Sequence, residues 1–100
     1  MNSADAARFE AVRAALDLAR RSLPPSAQRW ATADPVNPGS MDTLADFDES
    51  MEQVEYELAL YSLAGVARGS GAGVECWKHI EEAARLMLIG PRERARAYLS

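Results

Sequence analysis

The apolar positions of this chain fall on helical stripes and nowhere sustain the two-residue alternation of a half-buried strand. Phe9, Val12, Leu16, Ala19 and Leu23 step by three and four, which predicts an amphipathic helix from Ser3 to Leu23. Ser3 is its candidate N-cap, because a hydroxyl there can accept from an orphan backbone N–H. Pro24-Pro25 ends the helix: neither ring can donate to the ladder, and Leu23 is pushed toward extended geometry. The Pro-rich connection 24–40 holds Pro24, Pro25, Pro35, Pro38 and Gly39, and a connection this long is expected to carry structure of its own. Pro25 suits the first position of a short helix through Gln28, Arg29 and Trp30. Trp30 and Val36 are expected to pin the connection to the core, and Asn37-Pro38-Gly39 signals a turn.

A second helix is expected from Met41 to Arg68, capped by Ser40 or Asp42. Leu44, Phe47, Met51, Val54, Leu58 and Tyr61 form a heptad seam along it. A second stripe, Tyr56, Leu60, Leu63 and Ala67, joins only in the later half. The stretch from Leu58 to Ala67 is therefore expected to be the central buried helix. A break between Ser50 and Gln53 would divide the element into two helices, and the pattern alone leaves both readings open. Residues 68–73 form a Gly-rich turn. A third helix, Val74 to Ile89, presents Cys76, Ile80, Ala83 and Met87, widened by Trp77, Ala84 and Leu88; Gly90 fits its C′ position and Pro91 forbids continuation. Pro91 can open a last short helix with Ala95, Tyr98 and Leu99 inward and Arg92, Arg94 and Arg96 outward. The expectation is an all-α fold: one domain over 1–100, a small antiparallel bundle of three to five helices.

Composition narrows the classes. Hydrophobic residues make up 48% and charged residues 26% of the 100, the balance of a globular chain. The lone Cys76 cannot form an internal disulfide, and one Cys with one His leaves no Cys/His zinc site within a single chain. No apolar run approaches the ~20 residues of a bilayer span, and the first residues lack the basic-then-apolar order of a signal peptide. A cytoplasmic protein with no membrane partner is expected. The net charge of −4 argues against direct binding of nucleic acid, which needs a concentrated basic surface.

The charge is also unevenly spread. Residues 40–67 carry seven acids and no base, between two mildly basic flanks. Asp42, Asp46, Asp48, Glu49, Glu52, Glu55 and Glu57 all avoid the seam, so on one helix they share an exposed face. Like charges four apart, such as Asp48 and Glu52, repel by ~0.2–0.5 kcal/mol, and no Lys or Arg in the segment offsets them. Asp46, Asp48, Glu49, Glu52 and Glu55 are candidates for contacting a cationic partner, with Tyr56 as an amphipathic anchor among them. The competing reading is a solvated face, or one paired with Arg8, Arg13 or Arg20, with Tyr56 packed under the third helix.

Other chemistry does not assemble. The acidic run has no Gly and reads as helix, unlike an EF-hand loop. His79 has Cys76 rather than Glu three residues before it, so a di-iron Glu-x-x-His pair is missing. Cys76 lies on the apolar stripe, which makes it a core residue rather than a nucleophile beside His79. Residues 69–73 lack the Gly-Lys-Ser/Thr end of a phosphate loop, and Arg92, Arg94 and Arg96 read as a solvated face. No catalytic residue, cofactor or metal is expected, and the chain reads as a non-enzyme.

The stretch Glu55-Tyr56-Glu57-Leu58-Ala59-Leu60-Tyr61-Ser62-Leu63-Ala64 resembles a mid-chain helix of small all-helical bacterial immunity proteins, those of polymorphic toxin and contact-dependent growth inhibition systems. The likeness extends over about residues 44–90, with Met87-Leu88 near the end of the final helix; the Pro-rich 24–40 segment and residues 69–73 depart from it. It implies a cognate toxin domain as partner, often a cationic nuclease, whose substrate groove is blocked by mimicry of phosphate charge. Carried over residue by residue, it points to Glu55, Tyr56 and Glu57. The alternative is a self-associating helical adaptor whose seam pairs with a second copy; monomer and dimer are both open.

Overall fold

The computed structural model describes residues 3–31 and 43–87. They form four α-helices, α1 (Ser3–Arg21), α2 (Leu44–Glu52), α3 (Tyr56–Ser70) and α4 (Val74–Leu86), and a 3-10 helix Pro25–Trp30. No strand occurs among the described residues. The small all-α bundle expected from the periodicity is what forms. Val36, the turn at 37–39, caps at Ser40 or Asp42, and everything from Leu88 onward, including the last short helix, lie outside the described residues.

Val12, Ala15, Leu16 and Ala19 bury the inner stripe of α1, and Cys76, Ile80, Ala83 and Ala84 bury that of α4. The Cys76 thiol donates to the Ala19 carbonyl at 3.3 Å, joining the end of α1 to the start of α4. Phe9 and Met87 line one groove at the opposite end, so the pair is antiparallel. Helix α3 packs against every other element, burying Ala59, Leu60, Leu63, Ala64, Val66 and Ala67. It is the central helix, as its apolar circumference requires.

The described part of the Pro-rich connection is fastened to the end of α3. Pro25 opens the 3-10 helix, where its missing N–H costs nothing. Ser26 Oγ donates to the Ser70 carbonyl at 3.0 Å. Trp30 lies so close to Gly69 that a β-carbon there would meet the indole at 2.8 Å. Ala27, Leu44 and Val66 form a second small cluster with Leu23 and Trp30. The expectation that Trp30 pins the connection is met.

Of the two readings left open for the Met41–Arg68 stretch, the divided one is what forms. Helix α2 ends at Glu52, and α3 starts at Tyr56. The reversal is a Schellman motif: Val54 N–H donates to Met51 O at 3.1 Å and Glu55 N–H to Ser50 O at 2.8 Å. Val54 occupies the left-handed position, at φ +60°. The turn after α3 has the same pattern, with Gly71 N–H to Arg68 O at 3.4 Å and Ala72 N–H to Ala67 O at 2.9 Å. There the left-handed residue is Gly71, at φ +71°. One reversal thus uses the residue type that adopts this conformation freely, and the other uses a β-branched residue that does not.

The fold-back divides the heptad seam. Leu44 and Phe47 are buried and Met51 half-buried, but Val54 is 62% and Leu58 54% exposed. In α3 the core face belongs to the second stripe, Leu60, Leu63 and Ala67 with half-buried Tyr56. The entry to α2 is capped by Thr43, a buried residue whose hydroxyl accepts from Asp46 N–H at 3.0 Å.

Candidate functional site

The reversal distributes the acidic residues over two helices and the link between them, where the pattern had suggested one face of one helix. Asp46, Asp48, Glu49 and Glu52 are exposed on α2, Glu55 is exposed in the link, and Glu57 is exposed in the first turn of α3. Local structure accounts for some of them. Asp46 and Glu57 lie in first turns, where the helix dipole favours negative charge. The Tyr61 hydroxyl donates to Glu57 Oε1 at 3.1 Å. Asp48 meets Arg20 of α1 at 3.8 Å with both side chains substantially exposed, a geometry that contributes little in water.

Glu49 and Glu52 are placed against local preference. They occupy the C-terminal half of α2, whose last turn has no basic residue and whose dipole end repels carboxylates by ~0.3–1 kcal/mol each. Gln53 Nε2 donates to Glu49 Oε1 at 3.3 Å, which steadies the group without neutralising it. These two carboxylates, with Glu55 just beyond, make the least locally compensated part of the acidic surface.

Tyr56 is not a free-standing anchor in the acidic surface. It is half-buried on the main core, and its ring lies 6.4 Å from Phe9 of α1, tilted by 51°. The alternative of packing under the Val74–Ile89 helix holds as well: Tyr56 packs on the core cluster to which α4 contributes and shares a groove with Met87 at the end of α4, with Phe9 of α1 as a further neighbour. Phe9, Val54, Tyr56 and Met87 line an open groove of about 250 Å³, with Arg8 and Glu57 as its charged lining. Phe9 is 39% exposed. The sequence reading singled out Tyr56 of this group but not the groove, because Phe9, Val54 and Met87 come from three different stretches of chain. Val54 carries no local signal either: residues 50–55 contain neither Gly nor Pro.

Cys76 is fully buried, and burial pushes its thiol pKa up. A thiol held neutral in the core is a poor nucleophile. His79 is half-buried one turn further along α4. Among the described residues no three His, Cys, Asp or Glu side chains gather to hold a metal, and no helix is long and apolar enough to cross a membrane. Glu49, Glu52 and Glu55 are exposed, and Glu55 stands between the groove residues Val54 and Tyr56 in the chain. Compared with protein family models, curated proteins and solved structures, the chain finds no match.

Proposed function

We propose that this chain is a small immunity-type inhibitor that binds a cognate, positively charged toxin domain, a nuclease being the fitting class. The observation that supports it is the set of exposed carboxylates on α2 and the link, with Glu49 and Glu52 held at a helix end that disfavours them. A nuclease presents Lys and Arg to its substrate, and carboxylates in fixed helical positions can take those groups in charge-assisted hydrogen bonds. The long-range field of such a surface also speeds encounter. The reading requires no cofactor and no covalent step.

The test is capture of the C-terminal domain of a large toxin-like protein encoded beside this gene, where the genome holds one, followed by titration at low and high salt. Stoichiometric binding that weakens with salt is expected. Reversing Glu49 and Glu52 to Lys together should slow association by about tenfold or more. Capture untouched by salt or by the reversals would refute the acidic-surface mechanism. Absence of capture would refute the immunity reading itself.

A further inference from the structure

We propose that the groove formed by Phe9, Val54, Tyr56 and Met87 receives an apolar side chain that the partner presents between Lys or Arg residues. The inference rests on the proposed recognition of a cationic protein and identifies where the apolar part of that contact is made. At about 250 Å³ the groove is open and smaller than the usual small-molecule pocket of ~300–1,000 Å³. It suits one inserted side chain. Two of its walls, Phe9 and Val54, are large hydrophobic residues left exposed.

The Val54 backbone adds an independent reason. A β-branched residue in the left-handed region is an outlier, and such conformations concentrate where a side chain must be displayed in a particular direction. Here the strained conformation puts the isopropyl group on the groove wall, whereas folding alone is served better by glycine, as Gly71 serves the matching reversal.

Charge chooses among occupants. Glu57 lines the groove, Glu55 stands between Val54 and Tyr56 in the chain, and Glu52 closes α2 just before it. The lining itself holds one acid and one base, Glu57 and Arg8; Glu55 and Glu52, both exposed and close to Val54 in the chain, add negative charge beyond that balance. A second copy docked by the same face would be related by a twofold axis, bringing this acidic rim against its own copy. A segment with an apolar residue flanked by cations satisfies both the wall and the rim.

The experiment titrates the full chain, followed by amide chemical shifts, with the blocked hexapeptide Lys-Arg-Leu-Phe-Arg-Lys and its analogue Lys-Arg-Ser-Ser-Arg-Lys. The Leu-Phe peptide should bind about tenfold more tightly, since an apolar side chain leaves water. It should shift the amides of Phe9, Val54, Tyr56 and Met87. Val54→Gly, in a chain that keeps its fold, should weaken that peptide about fivefold and leave the Ser-Ser peptide unchanged. Phe9→Ser provides a second variant from the opposite wall with the same expected pattern. Equal binding of both peptides, weakened by Glu55→Lys and by salt, would overturn the groove and leave the acidic-surface reading standing. Preference for the Leu-Phe peptide with no salt dependence would uphold the groove and refute the acidic surface. If neither peptide binds, both are overturned. A concentration-dependent mass abolished by Val54→Gly would put a second copy in the groove and overturn the assignment to a cationic partner.

Discussion

Replacing Val54 by glycine should stabilise the protein although it deletes an apolar side chain. Three terms set the size. Holding a β-branched residue at φ +60° costs about 2 kcal/mol, within the range for such backbone outliers. Glycine removes that cost but brings an unfolded state that is freer by about 0.5–1 kcal/mol. The isopropyl group is 62% exposed, so its loss forfeits roughly 0.5 kcal/mol of burial. The balance is a gain of about 0.5–1 kcal/mol, or roughly 2–8 °C in Tm for a domain this size. The reverse exchange at the matching reversal is the internal control. Gly71 has φ +71° and open space where a β-carbon would stand, so Gly71→Val should cost about 1–2 kcal/mol through the backbone alone. Urea unfolding followed by circular dichroism measures both variants, with an unchanged m-value required for the comparison. A Val54→Gly chain less stable than the parent by about 0.5 kcal/mol or more would refute the reasoning, because it would mean that the valine stabilises the reversal.

A contrast within α3 tests where its core face lies: Leu60→Ala should cost about 2–5 kcal/mol, as for a large core side chain, whereas Leu58→Ala, at a position 54% exposed, should cost less than about 1 kcal/mol. Comparable losses at the two sites in urea unfolding would contradict the described register. For Cys76, burial raises the folded-state pKa, so its contribution is fully present below the unfolded thiol's value of about 8.5 and falls above it, where the unfolded chain loses its proton first. The stability difference between the parent and Cys76→Ala should accordingly narrow between about pH 7 and pH 9.5, and a thiol reagent should label the native chain only at the rate of opening. Rapid stoichiometric labelling of folded protein would show that the thiol is accessible after all.

The stripe of α1, the stripe of α4 and the all-α class follow from spacing that a reader of the sequence can count. Phe9 and Leu23 mark the ends of the first stripe; both are only partly covered, because a helix end has fewer neighbours. Trp30 is a large aromatic in a Pro-rich connection, and burial was the cheapest way to remove its surface from water. The acidic residues were legible as exposed, since charged groups avoid the core. Their division between two helices was not, nor was the groove, whose walls lie far apart in the chain.

The helical character of the four α-helices, the residues too polar to bury and the central place of α3 were legible in the sequence, because these depend on local periodicity and on the transfer of side chains from water. Tertiary structure alone decided that the Met41–Arg68 stretch folds back. As one helix it would run about 40 Å and carry Leu44 and Phe47 away from the rest of the chain. Folding back at Val54 instead sets Leu44 against Val66 and buries Phe47 in the core. No residue from 50 to 55 announces that turn. It forms because the burial gained over the whole hairpin exceeds the strain concentrated at one valine, a comparison that no local window of the sequence contains.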